Sequence, residues 1–257
     1  MAADDYAALQ AAVLQTLGLD LRLYKREQME RRLRAYGQQR GFTNLQELAD
    51  ALRRDRTLAP QLMSYLTIHV SEFFRDPRFF SDLRSLIQEL PQVPRPLRAW
   101  SAGCSIGAEA YTAAMLLSEE RPGYPHQVLG TDVDEQSLER ARHGLYREED
   151  LRQVDAERRS RYFTAAEGGY RVHQDLQRLV AFRRQDLLRD PYPQGQDLIL
   201  FRNVAIYFTE QAKEQVLQGL AQSLSPKGIL MVGSTEPILR PQAFGLRQVR
   251  PFFFTRD

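Results

Sequence analysis

Apolar positions follow two regimes along this chain. Up to about residue 90 they recur at helical spacing. Met29, Leu33 and Tyr36 stand at i, i+4 and i+7, one stripe of a helix that turns Arg31 and Arg34 away and leaves Arg32 on the flank. Gly41 closes that helix, and Thr43-Asn44 opens another through Leu45, Leu48 and Leu52. Residues 58–66 and 76–90 supply two more. Pro91, Pro94 and Pro96 in PQVPRP cannot continue a helix and mark a linker. The expectation is a helical domain over residues 1–90, a linker over 91–96 and a second domain over 97–257.

Beyond the linker the pattern alternates. Short apolar runs at 97–102, 127–131, 179–182, 197–201 and 228–233 read as strands, with helical stretches between most of them. Buried strands separated by helices indicate an α/β fold, a doubly wound, mostly parallel sheet covered on both faces. Residues 245–249 and 251–255 read as a closing pair with one antiparallel edge strand. Residues 161–178 break the alternation: Gly168-Gly169 lies between short β-like runs, which predicts a small inserted β hairpin near 158–180.

Composition narrows the class. Charged residues make up 26% and hydrophobic ones 43% of 257, the balance of a globular protein. No apolar run reaches membrane-spanning length, and MAADDYAALQ lacks the basic and apolar regions of a signal peptide. A cytoplasmic protein without direct membrane insertion is expected. The one cysteine, Cys104, excludes an internal disulfide and a Cys-rich metal site, so no metal is expected. The net charge of +2 is unevenly spread: residues 21–57 carry ten Lys+Arg against five Asp+Glu, and the first twenty residues sum to −3. Such a basic stretch is either a solvated helix face or a dock for an acidic partner. Without interleaved aromatics it does not suit nucleic acid.

Residues 97–112, LRAWSAGCSIGAEAYT, carry the most chemistry. A strand runs into a turn bracketed by Gly103 and Gly107, then into a helix, and about 25 residues later the next strand ends at Asp132. Glycines admit a ligand to the backbone, the helix start offers free N–H groups, and the acid can take ribose hydroxyls. The unit suits a nucleoside cofactor without separating S-adenosylmethionine from the NAD of a Rossmann oxidoreductase. G-x-S-x-G also spells a hydrolase elbow. That reading fails because His173, the last of four histidines, precedes the final strands, where a triad histidine belongs.

Four blocks in order, LTIHVSEFFRDP, WSAGCSIGAEAYT, GTDVDEQSLERARHGLY and LFRNVAIYF, resemble the chemotaxis-receptor glutamate methyltransferases, the CheR family. Members carry T-x-N-x-T-x-F-F-R-D, G-C-S-x-G-E-E-P-Y-S, S/T-D-I-D and R-N-V-x-I-Y-F. The likeness runs from about residue 17 to 254. It implies a class I methyltransferase-like sheet, S-adenosyl-L-methionine as cofactor and S-adenosyl-L-homocysteine as product. It also implies O-methylation of receptor glutamates in sensory adaptation. On the matching positions Gly103, Ser105 and Gly107 would line the cofactor, Glu109 would face its amino group and Asp132 its ribose. Asp186 and Leu187 would lie along the adenine. Arg202 and Asn203 fall on the family's R-N pair, and His69, Ser71 and Arg75 on its N-x-T-x-x-x-R contacts. Ala108, Ala110 and Thr112 depart from E-E-P-Y-S, and His69 replaces an Asn. Cys104 reads as a small buried filler. A cofactor-binding scaffold that has lost transfer is the alternative these departures leave.

A glutamate carboxylate, with a reference pKa of about 4.3, is already ionised at neutral pH, so its methylation needs orientation more than a base. Arg75 and Tyr207 are the expected catalytic pair, positioning the acceptor. The family's helical domain grips acidic receptor helices, which assigns Lys25, Arg26, Arg31, Arg32 and Arg34 to the cytoplasmic domain of a chemoreceptor. The inserted hairpin, where some relatives bind a receptor's C-terminal pentapeptide tether, is short here at TAAEGGY. That predicts a tether-independent enzyme; a monomer is expected as well.

Overall fold

A computed structural model of the chain describes residues 5–67, 71–91 and 93–256. They form two compact units, Met1–Ile68 with Tyr207–Gln215, and His69–Ile206 with Val216–Asp257.

In the first unit α1 (Asp5–Leu17), α2 (Arg26–Gln39), α3 (Leu45–Arg54) and α4 (Leu58–Leu66) pack together. The stripe of Met29, Leu33 and Tyr36 is buried, as are Leu45, Leu48 and Leu52 of α3. The start of α3 is fixed reciprocally. Asn44 Oδ1 accepts the Glu47 N–H at 2.9 Å while the Glu47 carboxylate accepts the Thr43 N–H at 2.8 Å, a capping arrangement that stabilises a helix by roughly 1 kcal/mol. Residues 207–215 join this unit through Phe208, whose ring meets Tyr24 edge-on at 5.3 Å. The Lys25 N–H also donates to the Tyr207 carbonyl at 2.9 Å.

The second unit opens earlier than the Pro-rich stretch. The boundary expected at 91–96 falls between Ile68 and His69, because α5 (Pro77–Glu89) turns Phe80, Leu83, Leu86 and Ile87 into the core that also holds Tyr111 and Leu117. The prolines are a seam inside the unit. Arg121 donates to the Leu90 carbonyl at 2.6 Å, and Arg95 forks onto Asp197 with two bonds of 2.8 Å. His126 is a satisfied core histidine: Nδ1 accepts the Leu97 N–H, so Nε2 donates to the Arg121 carbonyl at 2.7 Å.

In chain order come β1 (Arg98–Ala102), α6 (Ala108–Glu120), β2 (Gln127–Asp132), α7 (Glu135–His143), β3 (Leu145–Tyr146), α8 (Ala156–Tyr162), β4 (Phe163–Ala166), β5 (Gly169–Val172), α9 (Gln174–Gln177), β6 (Val180–Arg184), β7 (Gln196–Phe201), α10 (Glu210–Ser223), β8 (Leu224–Val232), β9 (Leu246–Arg250) and β10 (Phe253–Arg256). Seven of these strands form one sheet in the order β6-β2-β1-β7-β8-β10-β9. From β1 the chain winds outward through β2 to β6, then returns to β7 on the other side of β1. That reversal creates a switch point between the tips of β1 and β7, where α/β sheets bind ligands. The antiparallel direction expected at one edge is carried by β10, with β9 outside it. β8 begins before its expected start because Lys227, at φ 62°, absorbs an irregularity between its pairings with Gln196 and Leu198.

The insertion is larger than a hairpin at 158–180. β3 pairs with β5 to give a second sheet, β3-β5-β4. A two-residue strand leaves no periodicity to read. Among the described residues no helix is long and apolar enough to cross a membrane.

Candidate active site

The turn after β1 is held by its neighbours on both sides. The N–H groups of Gly103 and Cys104 both donate to the Thr131 carbonyl at 2.8 Å, continuing the ladder beyond β1. Gly103 has φ 77°, and a Cβ there would lie 2.4 Å from Val204 Cγ2 in the loop after β7. Ser105 sits at φ 50° and donates its N–H to Asp132 Oδ2 at 2.8 Å. Asp132 Oδ1 accepts the Asp134 N–H at 3.0 Å. Burial, followed by the charges of Asp132 and Glu109, pushes the Cys104 thiol well up. It is a filler, not a nucleophile.

The first turn of α6 adds Glu109. Its carboxylate accepts from the Ser101 hydroxyl at 3.1 Å and from Arg202 at 3.2 Å. The Arg202 side chain, 2% exposed, donates its other terminal nitrogen to Asp76 at 2.7 Å and lies over the rings of Phe79 and Phe80. One buried cation thus ties the β7 tip to α6 and to the loop before α5. That loop is strained, with Phe74 at φ 53° and Asp76 at φ 61°, and aromatic packing holds it. Phe73 meets Tyr146 and Phe163 edge-on, and the Phe74 N–H donates to Thr112 Oγ1 at 3.3 Å. Thr112 therefore keeps a hydroxyl where the motif has Ser. Ala108 is fully buried.

The β6 tip stands beside Asp132, whose carbonyl accepts the Gln185 N–H at 2.9 Å. Asp186 follows, 8% exposed, its Oδ1 taking the Leu188 N–H at 2.9 Å. Burial pushes its carboxyl above the usual range against that bond. At the β7 exit Asn203 has φ 62°. The N–H groups of Asn203, Val204 and Ala205 all donate to the Glu236 carboxylate, the last two at 2.7 and 2.6 Å. Burial pushes Glu236 up as well, opposed by these bonds.

Gly103, Ser105, Gly107, Glu109, Asp132, Asp186, Leu187, Arg202 and Asn203 thus belong to the tips of four adjacent strands. Arg75 rides half-buried in the strained loop and is linked to them through its neighbour Asp76. Ser71 lies upstream, with no hydrogen bond to the tips among the described residues. His69 lies outside the described residues. Tyr207 falls in the other unit, so the expected pair of Arg75 and Tyr207 is not assembled within one unit. The chain pattern did not single out Asp76, Val204 or Glu236. Asp76 had been visible only as a helix-start residue before Pro77, and Glu236 follows β8 in a loop without periodicity.

Of the five expected receptor residues Lys25 precedes α2, and the four arginines on α2 differ. Arg34 is not simply turned outward: it pairs with Glu30 at 2.7 Å and Asp5 at 3.1 Å. Arg26 shares Glu30, and Arg32 donates to the Tyr65 carbonyl. Arg31 is exposed and makes no ion pair among the described residues. It lines a groove with Glu27, Glu30, Arg34, Ala35 and Gln38, a face of mixed sign.

Residues 69–253 match the family model described as CheR methyltransferase, SAM binding domain, and residues 4–67 the one described as CheR methyltransferase, all-alpha domain. The chain belongs to the CheR methyltransferase family. It is 35% identical to a chemotaxis protein methyltransferase of Listeria monocytogenes over 98% of this chain and 97% of the relative. The corresponding protein of Listeria innocua is also 35% identical, over 98% and 97%. Chemotaxis protein methyltransferase 1 of Vibrio cholerae is 36% identical over 76% of each. The seam between the two family domains coincides with the boundary between the compact units. The chain is a methyltransferase of chemotaxis adaptation, and S-adenosylmethionine is its cofactor. The residues present fit that molecule: the carboxylates of Asp132 and Glu109 flank the turn after β1, whose glycines at 103 and 107 let Val204, Ala141 and Phe182 pack tightly against its backbone.

Proposed function

We propose that this CheR family member methylates a glutamate side-chain oxygen on the acidic helical cytoplasmic domain of a chemoreceptor. The observation that carries the reading is the meeting of the β1, β2 and β7 tips at the switch point, bearing Asp132, Glu109, Arg202 and Asn203. When bound, S-adenosylmethionine supplies a methyl group on an electron-poor sulfonium. Gly103, Ser105 and Gly107 line it, Asp132 accepts from ribose hydroxyls and Glu109 faces the ammonium. Asp186 and Leu187 line the adenine, and Asn203 lies along the same ligand with Arg202 fixing its approach; Ser71 and His69 add contacts from the segment before the strained loop. Arg75 orients the acceptor carboxylate, and Tyr207 shapes the mouth. The acceptor arrives ionised, so the side chains hold and align it without removing a proton.

Lys25, Arg26, Arg31, Arg32 and Arg34 steer the acidic partner towards the enzyme. The enzyme works as a monomer and independently of a pentapeptide tether. The test combines calorimetric titration of S-adenosylhomocysteine with radiolabelled transfer to receptor-bearing bacterial membranes. Arg75→Ala and Tyr207→Ala are expected to keep the Kd for S-adenosylhomocysteine within a few-fold and lower transfer at least tenfold. Intact transfer in both variants would remove them from the site. A titration with the receptor pentapeptide is expected to show no binding.

A further inference from the structure

One carboxylate at this site has no part in the cofactor and acceptor contacts of the proposed function. Glu236 follows β8 by four residues, and its side chain is seated on three successive backbone N–H groups. Oε2 takes the Asn203 N–H, while Oε1 takes those of Val204 and Ala205 at 2.7 and 2.6 Å. A run of N–H groups converging on one anion is a backbone nest, here filled from within the chain. The backbone beneath it is cut to fit. A Cβ on Gly233 would lie 2.4 Å from Glu236 Oε2, so only glycine leaves room for the carboxylate. The turn it holds includes Asn203 at φ 62°, a left-handed conformation that asparagine adopts more readily than most side-chain-bearing residues. Val204 in the same turn touches the Gly103 backbone, and Arg202 immediately before it is locked between Asp76 and Glu109.

We propose that Glu236 is a positioning residue for cofactor binding, its carboxylate fixing the 203–205 turn so that Asn203 and Val204 meet the ligand and the Gly103 backbone in register. The inference rests on the reading of Asn203 as a cofactor contact. Glu236 gives no proton and touches no reacting atom; it acts through the three amides. Glu236→Gln keeps one oxygen for Val204 and Ala205 but faces the Asn203 N–H with an amide donor. Glu236→Ala leaves all three N–H groups without their acceptor.

The test uses the full-length chain. S-adenosylhomocysteine is titrated calorimetrically into the wild type, Glu236→Gln, Glu236→Ala and Asn203→Ala, with thermal midpoints and amide NMR spectra recorded alongside. Expected is a Kd at least tenfold weaker in Glu236→Ala and three- to tenfold weaker in Glu236→Gln. The Val204 and Ala205 amide protons, shifted downfield by short bonds to a charged acceptor, move upfield in both. If Glu236→Ala does not fold, Glu236→Gln decides. A Kd within twofold of wild type in the Gln variant, despite displaced amide resonances, overturns the proposal. So does a lowered thermal midpoint with unaltered affinity. The two layers separate cleanly: if Asn203→Ala weakens binding and the Glu236 variants do not, only the positioning role fails. If Asn203→Ala binds normally, the contact beneath it fails.

Discussion

Glu109→Gln is the sharpest perturbation of the site, because it removes one charge and keeps the shape. The Glu109 side chain is 15% exposed and its Arg202 partner 2%. Two effects can be sized separately. In the apoprotein the variant exchanges a charge-assisted bond for a neutral one, a loss of about 1 kcal/mol. Arg202 stays neutralised because Asp76 holds it at 2.7 Å, which prevents the roughly 3–5 kcal/mol cost of stranding a buried charge. Against a ligand ammonium the loss is larger. Opposite charges about 4 Å apart attract by about 1–4 kcal/mol between bulk water and a protein surface. A middle value of about 2 kcal/mol corresponds to roughly thirtyfold in Kd. Calorimetry with S-adenosylhomocysteine should therefore show affinity weakened ten- to hundredfold, while urea unfolding moves by only about 1 kcal/mol. 5′-Methylthioadenosine lacks the amino-acid end, and its binding should be unchanged. Equal losses for both ligands, or no loss for either, would refute the placement of Glu109 at the ammonium.

Three further outcomes follow from the same geometry. Gly103→Ala should destabilise the second unit by about 1–3 kcal/mol, since its Cβ would lie 2.4 Å from Val204 Cγ2. Adding Val204→Ala should recover only part of that in chemical unfolding, because the clash is relieved while the strain at φ 77° stays. Asp186 has its carboxyl raised by burial, so its contribution favours the fold below the ordinary value near 3.8 and is lost as pH climbs through the raised one. The stability difference between wild type and Asp186→Asn should therefore change with pH only from about 4 upwards, the variant gaining in relative stability as pH rises. Arg31→Glu should slow methylation of receptor-bearing membranes several-fold at low salt, and the gap should narrow as salt screens the field; a gap independent of salt would count against steering.

The legible parts of this fold were those where one physical signal dominates. The stripe of α2, the buried runs of β1, β2 and β7, and the glycine turn each carry a local pattern, and each is where the pattern placed it. Tertiary packing set what was missed. The prolines at 91–96 look like a boundary, yet the apolar face of α5 has its partners in α6, so the boundary lies upstream. β3 is too short for a period, and SPKG reads as a turn although β8 runs through it. Charge misleads in the same way: Arg34 resembles a free surface cation until Asp5, 29 positions away, is brought to it. Asp76 and Glu236 escaped notice because their value lies in the groups they touch, Arg202 and three backbone amides, none of which is near them in sequence.

The methyl group itself offers the most direct test of the central claim. Receptor-bearing membranes are incubated with the chain and S-adenosylmethionine carrying a radiolabelled methyl, and the washed, labelled receptor is treated with alkali. An ester on a glutamate oxygen should release its label quantitatively as volatile methanol. Label that stays on the protein through alkali would place the methyl on nitrogen or carbon and contradict a carboxylate acceptor.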